Sequence, residues 1–115
     1  MKIGILVIDD EDGIRRSLAR LLKEEGYLVQ VARDGEEALG IFEKDPYSFD
    51  IVICDLIMPG IDGIKTIEEI NKTHQEITKI ILTGYGTLES SIKAIEAGIG
   101  DLGERLGGPL ARLQP

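Results

Sequence analysis

Apolar residues fall along this chain in two alternating rhythms. Residues 3–8, Ile-Gly-Ile-Leu-Val-Ile, form a nearly continuous apolar run, as a parallel strand buried on both faces requires. Ile14, Leu18, Leu21 and Leu22 follow at i, i+4, i+7 and i+8, which is one face of a helix, and Gly26 offers a C-terminal stop. Residues 28–32 read as a second strand, Arg33-Asp34-Gly35 as a turn, and 36–44 as a helix that ends before Pro46. A third strand at 50–55 has the core Ile51-Val52-Ile53-Cys54, and a loop at 56–63 carries Pro59, Gly60 and Gly63. Ile64, Ile67 and Ile70 mark a third helix. A fourth strand spans 78–83, Gly84-Tyr85-Gly86 breaks it, and Leu88, Ile92 and Ile95 stripe a fourth helix expected to stop at Gly98. Four βα units in a row predict an α/β fold, a doubly wound parallel sheet with right-handed crossovers.

The rhythm fails after Gly98. The last 17 residues hold four Gly and two Pro, Ile99 is their only β-branched residue, and none is aromatic. A fifth strand at 101–106 is weakened by Gly103. A fifth helix fares worse, because Gly107-Gly108-Pro109 leaves only six residues beyond it. The expected organisation is therefore a core domain at 1–98 and an atypical tail at 99–115.

Composition narrows the function classes. At 115 residues the chain is one domain, able to bury roughly two-thirds of its unfolded surface. Thirteen Lys plus Arg stand against 21 Asp plus Glu, a net charge of −8. Nucleic acid and anionic membrane surfaces are disfavoured as direct partners, since binding phosphates relies on surplus cations. Cations and basic protein surfaces suit this balance better. Cys54 is the single cysteine, which fits a reducing cytoplasmic compartment. No apolar stretch approaches a signal core or a membrane span.

The chemistry-bearing residues sit where the strands end. Functional groups of open α/β sheets gather at the carboxyl ends of strands, near the point where strand order reverses. Asp9 and Asp10 follow the first strand, Asp55 closes the third, and Thr83 closes the fourth. Three carboxylates in one crevice repel each other unless a cation joins them. Mg2+ fits, because it takes oxygen ligands and needs only one or two carboxylates plus a phosphate. A strand-end Asp alone reads more simply as a helix cap or a solvated group. Doubled acid at two strand ends with a hydroxyl on a third reverses that preference.

Three segments then carry a resemblance. Val-Ile-Asp-Asp-Glu at 7–11, Asp-Ile-Val-Ile-Cys-Asp-Leu-Ile-Met-Pro-Gly-Ile-Asp-Gly at 50–63 and Ile-Leu-Thr-Gly-Tyr-Gly at 81–86 resemble the receiver domain of two-component response regulators, over residues 3–98. The resemblance implies a flavodoxin-like (βα)5 sheet of order 2-1-3-4-5. It implies Mg2+ held by Asp10, by Asp9 partly through water, by Asp55 and by the main-chain carbonyl of Ile57. Asp55 would accept the phosphoryl group, and Thr83 would be the hydroxyl that turns toward it. The partner would be a histidine kinase or phosphotransfer protein.

The match lapses in the tail. The family places a lysine followed by proline at the end of strand five, where the ammonium meets the phosphoryl group. Counting from Gly98 puts Arg105-Leu106 there, and the aromatic that moves with the switch hydroxyl falls at Leu102. A guanidinium does not replace an ammonium at a tight site. Without a fifth unit, apolar surface on strand four and the first helix would lie uncovered and invite self-association. A degenerate receiver working only through protein contacts is one alternative function. A Mg2+-dependent aspartyl phosphohydrolase is another, opposed by Ile57 at the place of its second Asp. The leading expectation is a switch that catalyses its own phosphorylation and dephosphorylation rather than a conventional enzyme. His74 is expected on the solvent side, and Cys54 in the core.

Overall fold

The computed structural model describes residues 2–55, 63–82 and 88–105, with side chains omitted at 88 and 101–105. Four strands, β1 (Gly4–Ile8), β2 (Leu28–Ala32), β3 (Ile51–Cys54) and β4 (Thr78–Ile81), pair in parallel in the order β2-β1-β3-β4. Helices α1 (Asp12–Glu24), α2 (Gly35–Lys44), α3 (Gly63–Thr73) and α4 (Leu88–Arg105) alternate with them. A 3-10 turn at Pro46–Ser48 leads into β3.

Every residue of β1 and β3 is buried, because both strands are central and helices cover both faces. Strand side chains divide with period two. Ile5, Val7, Ile51, Ile53, Ile80 and Leu82 point to one face, where Leu18 and Leu22 of α1 and Ile95 and Ile99 of α4 meet them. Leu6, Ile8, Val52 and Cys54 point to the other, against Ala38 and Phe42 of α2 and Ile70 of α3. Fully burying one such aliphatic side chain is worth about 1.5–3 kcal/mol, so these two layers carry the fold.

Local signals set the element ends. Gly26 has φ 98°, and its N–H donates to the Lys23 carbonyl while that of Tyr27 reaches Leu22. These two bonds close α1 in the left-handed glycine motif. Asp34 caps α2 by accepting from the Glu37 N–H at 2.8 Å, and the Glu37 carboxylate accepts in turn from the Arg33 N–H at 3.1 Å.

The C-terminal expectation changes. α4 does not stop at Gly98 but continues to Arg105, and residues 101–105 are helical rather than a fifth strand. A Cβ on residue 98 would lie 2.4 Å from Ile80 Cδ1, so bare Gly98 is what lets α4 approach β4. Buried Ser91, Ile95 and Ile99, spaced by four, show that one helical face runs straight through the glycine. The side of the sheet is informative too. Right-handed crossovers put α1 on one face, and α2 and α3 on the other. A crossover from β4 to a strand beyond it would place α4 with α2 and α3. Instead α4 lies with α1, over the surface of α1 and β4 that was expected to be bare. Residues 106–115 lie outside the described residues.

Candidate functional site

The carboxyl ends of β1 and β3 are where the chain order reverses. β1 connects through α1 to β2 on one side, and the chain returns past β1 to form β3 on the other. The ladder carries on one residue past both strands: the Asp55 N–H donates to the Ile8 carbonyl and the Asp9 N–H to the Ala32 carbonyl, each at 3.1 Å. Main-chain bonds thus hold both carboxylate-bearing residues at the rim of a rigid sheet, where loops alone could not fix them.

Asp9, Asp10 and Asp55 converge there, with one carboxylate oxygen from each lying within 4.8 Å of the others. Asp9 is buried at 4% exposure, Asp10 is exposed and Asp55 is intermediate. Burial pushes the Asp9 carboxyl up from its ordinary value, and the charges of Asp55, Asp10 and Glu11 push the same way. Against them, the Glu11 N–H donates to Asp9 Oδ1 at 2.9 Å. A cation would relieve the repulsion. The donor set suits Mg2+, which binds carboxylate oxygens at about 2.1 Å and so holds two of them about 3–4 Å apart.

One contributor escaped the sequence reading. Arg15, at the end of the first turn of α1, donates from Nη1 to the main-chain carbonyl of Asp9 at 2.9 Å and pairs with Asp12 through its other terminal nitrogen. The only hint was its position six residues after Asp9, which one turn of helix returns to the strand end.

The remaining expected residues fall elsewhere. Ile57 and Thr83 lie outside the described residues, as does Tyr85. Arg105 and Leu102 both lie on α4, so neither is at a strand end. Cys54 is fully buried, its thiol donating to the Asp55 carbonyl at 3.2 Å. His74 is half-buried rather than solvent-side. Its ring meets Phe42 edge-on at 4.8 Å and Tyr47 at 5.9 Å, before β4 and so at the far end of the sheet.

An open parallel sheet with a carboxylate crevice at its switch point defines the class. The chain belongs to the response regulator receiver domain family, whose model matches residues 5–102. It is 34% identical over 101 residues to the response regulator MprA of Mycolicibacterium vanbaalenii, covering 88% of this chain and 43% of that protein. The chain therefore spans less than half of that relative's length. A response regulator receiver domain protein of Clostridium thermocellum superposes with a TM-score of 0.69 at 40% identity, over 84% of this chain and 76% of the other. The response regulator TrrA of Thermotoga maritima, solved in complex with Mg2+ and BeF, gives 0.65 at 40% identity, over 82% and 81%. Phosphorylation-based signalling is the family's role, and Mg2+ at the acidic phosphorylation site is one of its features. Among the described residues, no helix is long and apolar enough to cross a membrane.

Proposed function

We propose that this chain accepts a phosphoryl group on Asp55 from a phosphohistidine of a histidine kinase or phosphotransfer protein, with Mg2+ at Asp9, Asp10 and Asp55. The observation that carries the reading is the convergence of those three carboxylates within 4.8 Å at the switch point. A carboxylate oxygen of Asp55 attacks phosphorus and forms an acyl phosphate. The phosphorus–nitrogen bond breaks, and the donor imidazole keeps the electron pair, so no general base is needed. Mg2+, when bound, offsets charge on the nucleophile and on the transferring group. Buried Asp9 and exposed Asp10 supply its other carboxylates. Asp55 itself stays open enough to meet a donor.

Thr83 is assigned as the hydroxyl that recognises the product, and the Ile57 carbonyl as a further metal ligand, both by their positions in the matched motifs. Arg105 receives no such role, because it lies on a helix. The acyl phosphate adds up to about two negative charges and several strong acceptors, enough to bias a nearby two-state element.

The test is the intact mass of wild type and Asp55→Asn after treatment with a small phosphodonor, with Mg2+ or with EDTA. The expected result is a phosphate adduct only in wild type with Mg2+. An adduct that persists on the Asn variant, or forms equally well in EDTA, sinks the assignment.

A further inference from the structure

The β1–α1 loop carries two of the three carboxylates, and the Arg15 N–H ties its far end by donating to the Glu11 carbonyl at 2.9 Å. The Asp9 N–H is tied to Ala32 and its Oδ1 to the Glu11 N–H, both on the strand side or within the loop. The Asp9 carbonyl accepts from Arg15 Nη1. This bond links a helix side chain to the loop's main chain. The Arg15 side chain is 13% exposed and its Asp12 partner 71%, so the guanidinium is packed while its counter-ion is wet. Holding a planar guanidinium there orients the Asp9–Asp10 peptide, and with it the directions of both side chains.

We propose that Arg15 is a positioning residue that sets the divalent-cation affinity of the Asp9–Asp10–Asp55 site by clamping the main chain of Asp9; the inference rests on the metal site proposed above. Two effects of Arg15 oppose each other. As a nearby positive charge it disfavours a bound cation, so removing it would tighten binding. As a clamp it preorganises the ligands, so removing it would loosen binding. The charge is already paired with Asp12, which cancels much of the first effect at a distance. Outer hydrogen bonds that orient metal ligands are commonly worth about 10–100-fold in affinity. The clamp therefore wins.

The experiment is a Mn2+ titration of the whole chain, read by electron paramagnetic resonance of the free ion and repeated with Mg2+ as competitor. Arg15→Met keeps the packed stem and removes every donor, and is expected to weaken binding about tenfold or more. Arg15→Lys can still donate to the Asp9 carbonyl and is expected to recover part of that loss. Arg20→Met, an exposed change on the same helix, should bind as wild type does. Urea unfolding of each variant separates folding from metal affinity. An Arg15→Met chain that binds as tightly as wild type, or tighter, overturns the inference, even if it is less stable. Equal weakening in Arg20→Met overturns it as well. Wild type that binds no Mn2+ would overturn the metal site first and this inference with it, whereas normal wild-type binding with an unchanged Arg15→Met overturns the inference alone.

Discussion

On the α2–α3 side of the sheet, the stacked rings of Phe42 and Phe49, 5.9 Å apart, fill the space between helix and strands. On the α1–α4 side the filling among the described residues is aliphatic apart from Tyr27, and a groove of about 470 Å³ persists between the two helices. Leu21, Leu22, Ile92, Ile95 and Ile99 line it, with Glu25 and Glu96. The two sides also differ in how their helices are held. α2 and α3 are crossovers, each gripped at both ends by paired strands. α4 follows β4 and packs on it and on α1. The lesson is that the shape of the filling side chains, as much as apolar content, decides how tightly a sheet face can be sealed. The carboxylate site draws on both arrangements, since β1 and β3 anchor its acids while α1 supplies the Arg15 clamp.

The sharpest way to break the comparison is to add one methyl group on each side. A Cβ at residue 4 would lie 1.8 Å from the Ser48 carbonyl oxygen, and both are backbone positions that cannot step aside. Gly4→Ala is expected to cost about 3 kcal/mol or more, the upper range for overpacking, seen as a fall in the urea midpoint. A midpoint unchanged from wild type would mean that the 3-10 turn before β3 yields freely, and that the α2–α3 side is not the rigid one.

Gly98→Ala tests the opposite side and should cost less. Its new Cβ would meet Ile80 Cδ1 at 2.4 Å and Cγ1 at 2.6 Å, the end of a side chain with other rotamers. Alanine also gains about 1 kcal/mol of helix propensity over glycine, which offsets part of the clash. The expected net loss is about 1 kcal/mol. Adding Ile80→Val removes the clashing Cδ1, so the double variant should lose less than the sum of the two single losses. Strict additivity would contradict the close approach of α4 to β4.

This glycine also marks where sequence reading ran out. β1 and β3 were legible because Ile5-Leu6-Val7-Ile8 and Ile51-Val52-Ile53-Cys54 are runs that only a doubly covered strand tolerates. Asp9, Asp10 and Asp55 were legible for the same reason, since acid directly after such a run must sit at the sheet rim. Gly98 was misread because a glycine after an apolar stripe signals a helix end locally, whereas its use here is a contact with Ile80, eighteen positions back. The choice of face for α4 was equally hidden. Ile92, Ile95 and Ile99 announce an apolar stripe, but a stripe does not say which side of a sheet it will cover. Arg15 was hidden because its partner is a main-chain carbonyl, and every residue has one.

The smallest effect concerns the groove itself. Exposed Glu25, just past the end of α1, and Glu96 on α4 both line it, so two like charges flank an apolar channel where the helices meet. Like charges across an exposed seam cost little in water, and salt screens them. Glu96→Lys would set a cation on the same groove as Glu25, with an expected gain of about 0.5 kcal/mol or less. The lysine stem would also cover part of the groove's apolar wall. These two contributions separate by ionic strength. Raising the salt from about 0.05 M to 1 M should remove the electrostatic part of the gain, because the screening length falls to about 3 Å, and leave the part due to the stem. A gain insensitive to salt would mean that the two carboxylates do not face each other across the groove. No gain at any salt would mean that α4 already sits as close to α1 as its side chains allow, and that the groove reflects shape rather than repulsion.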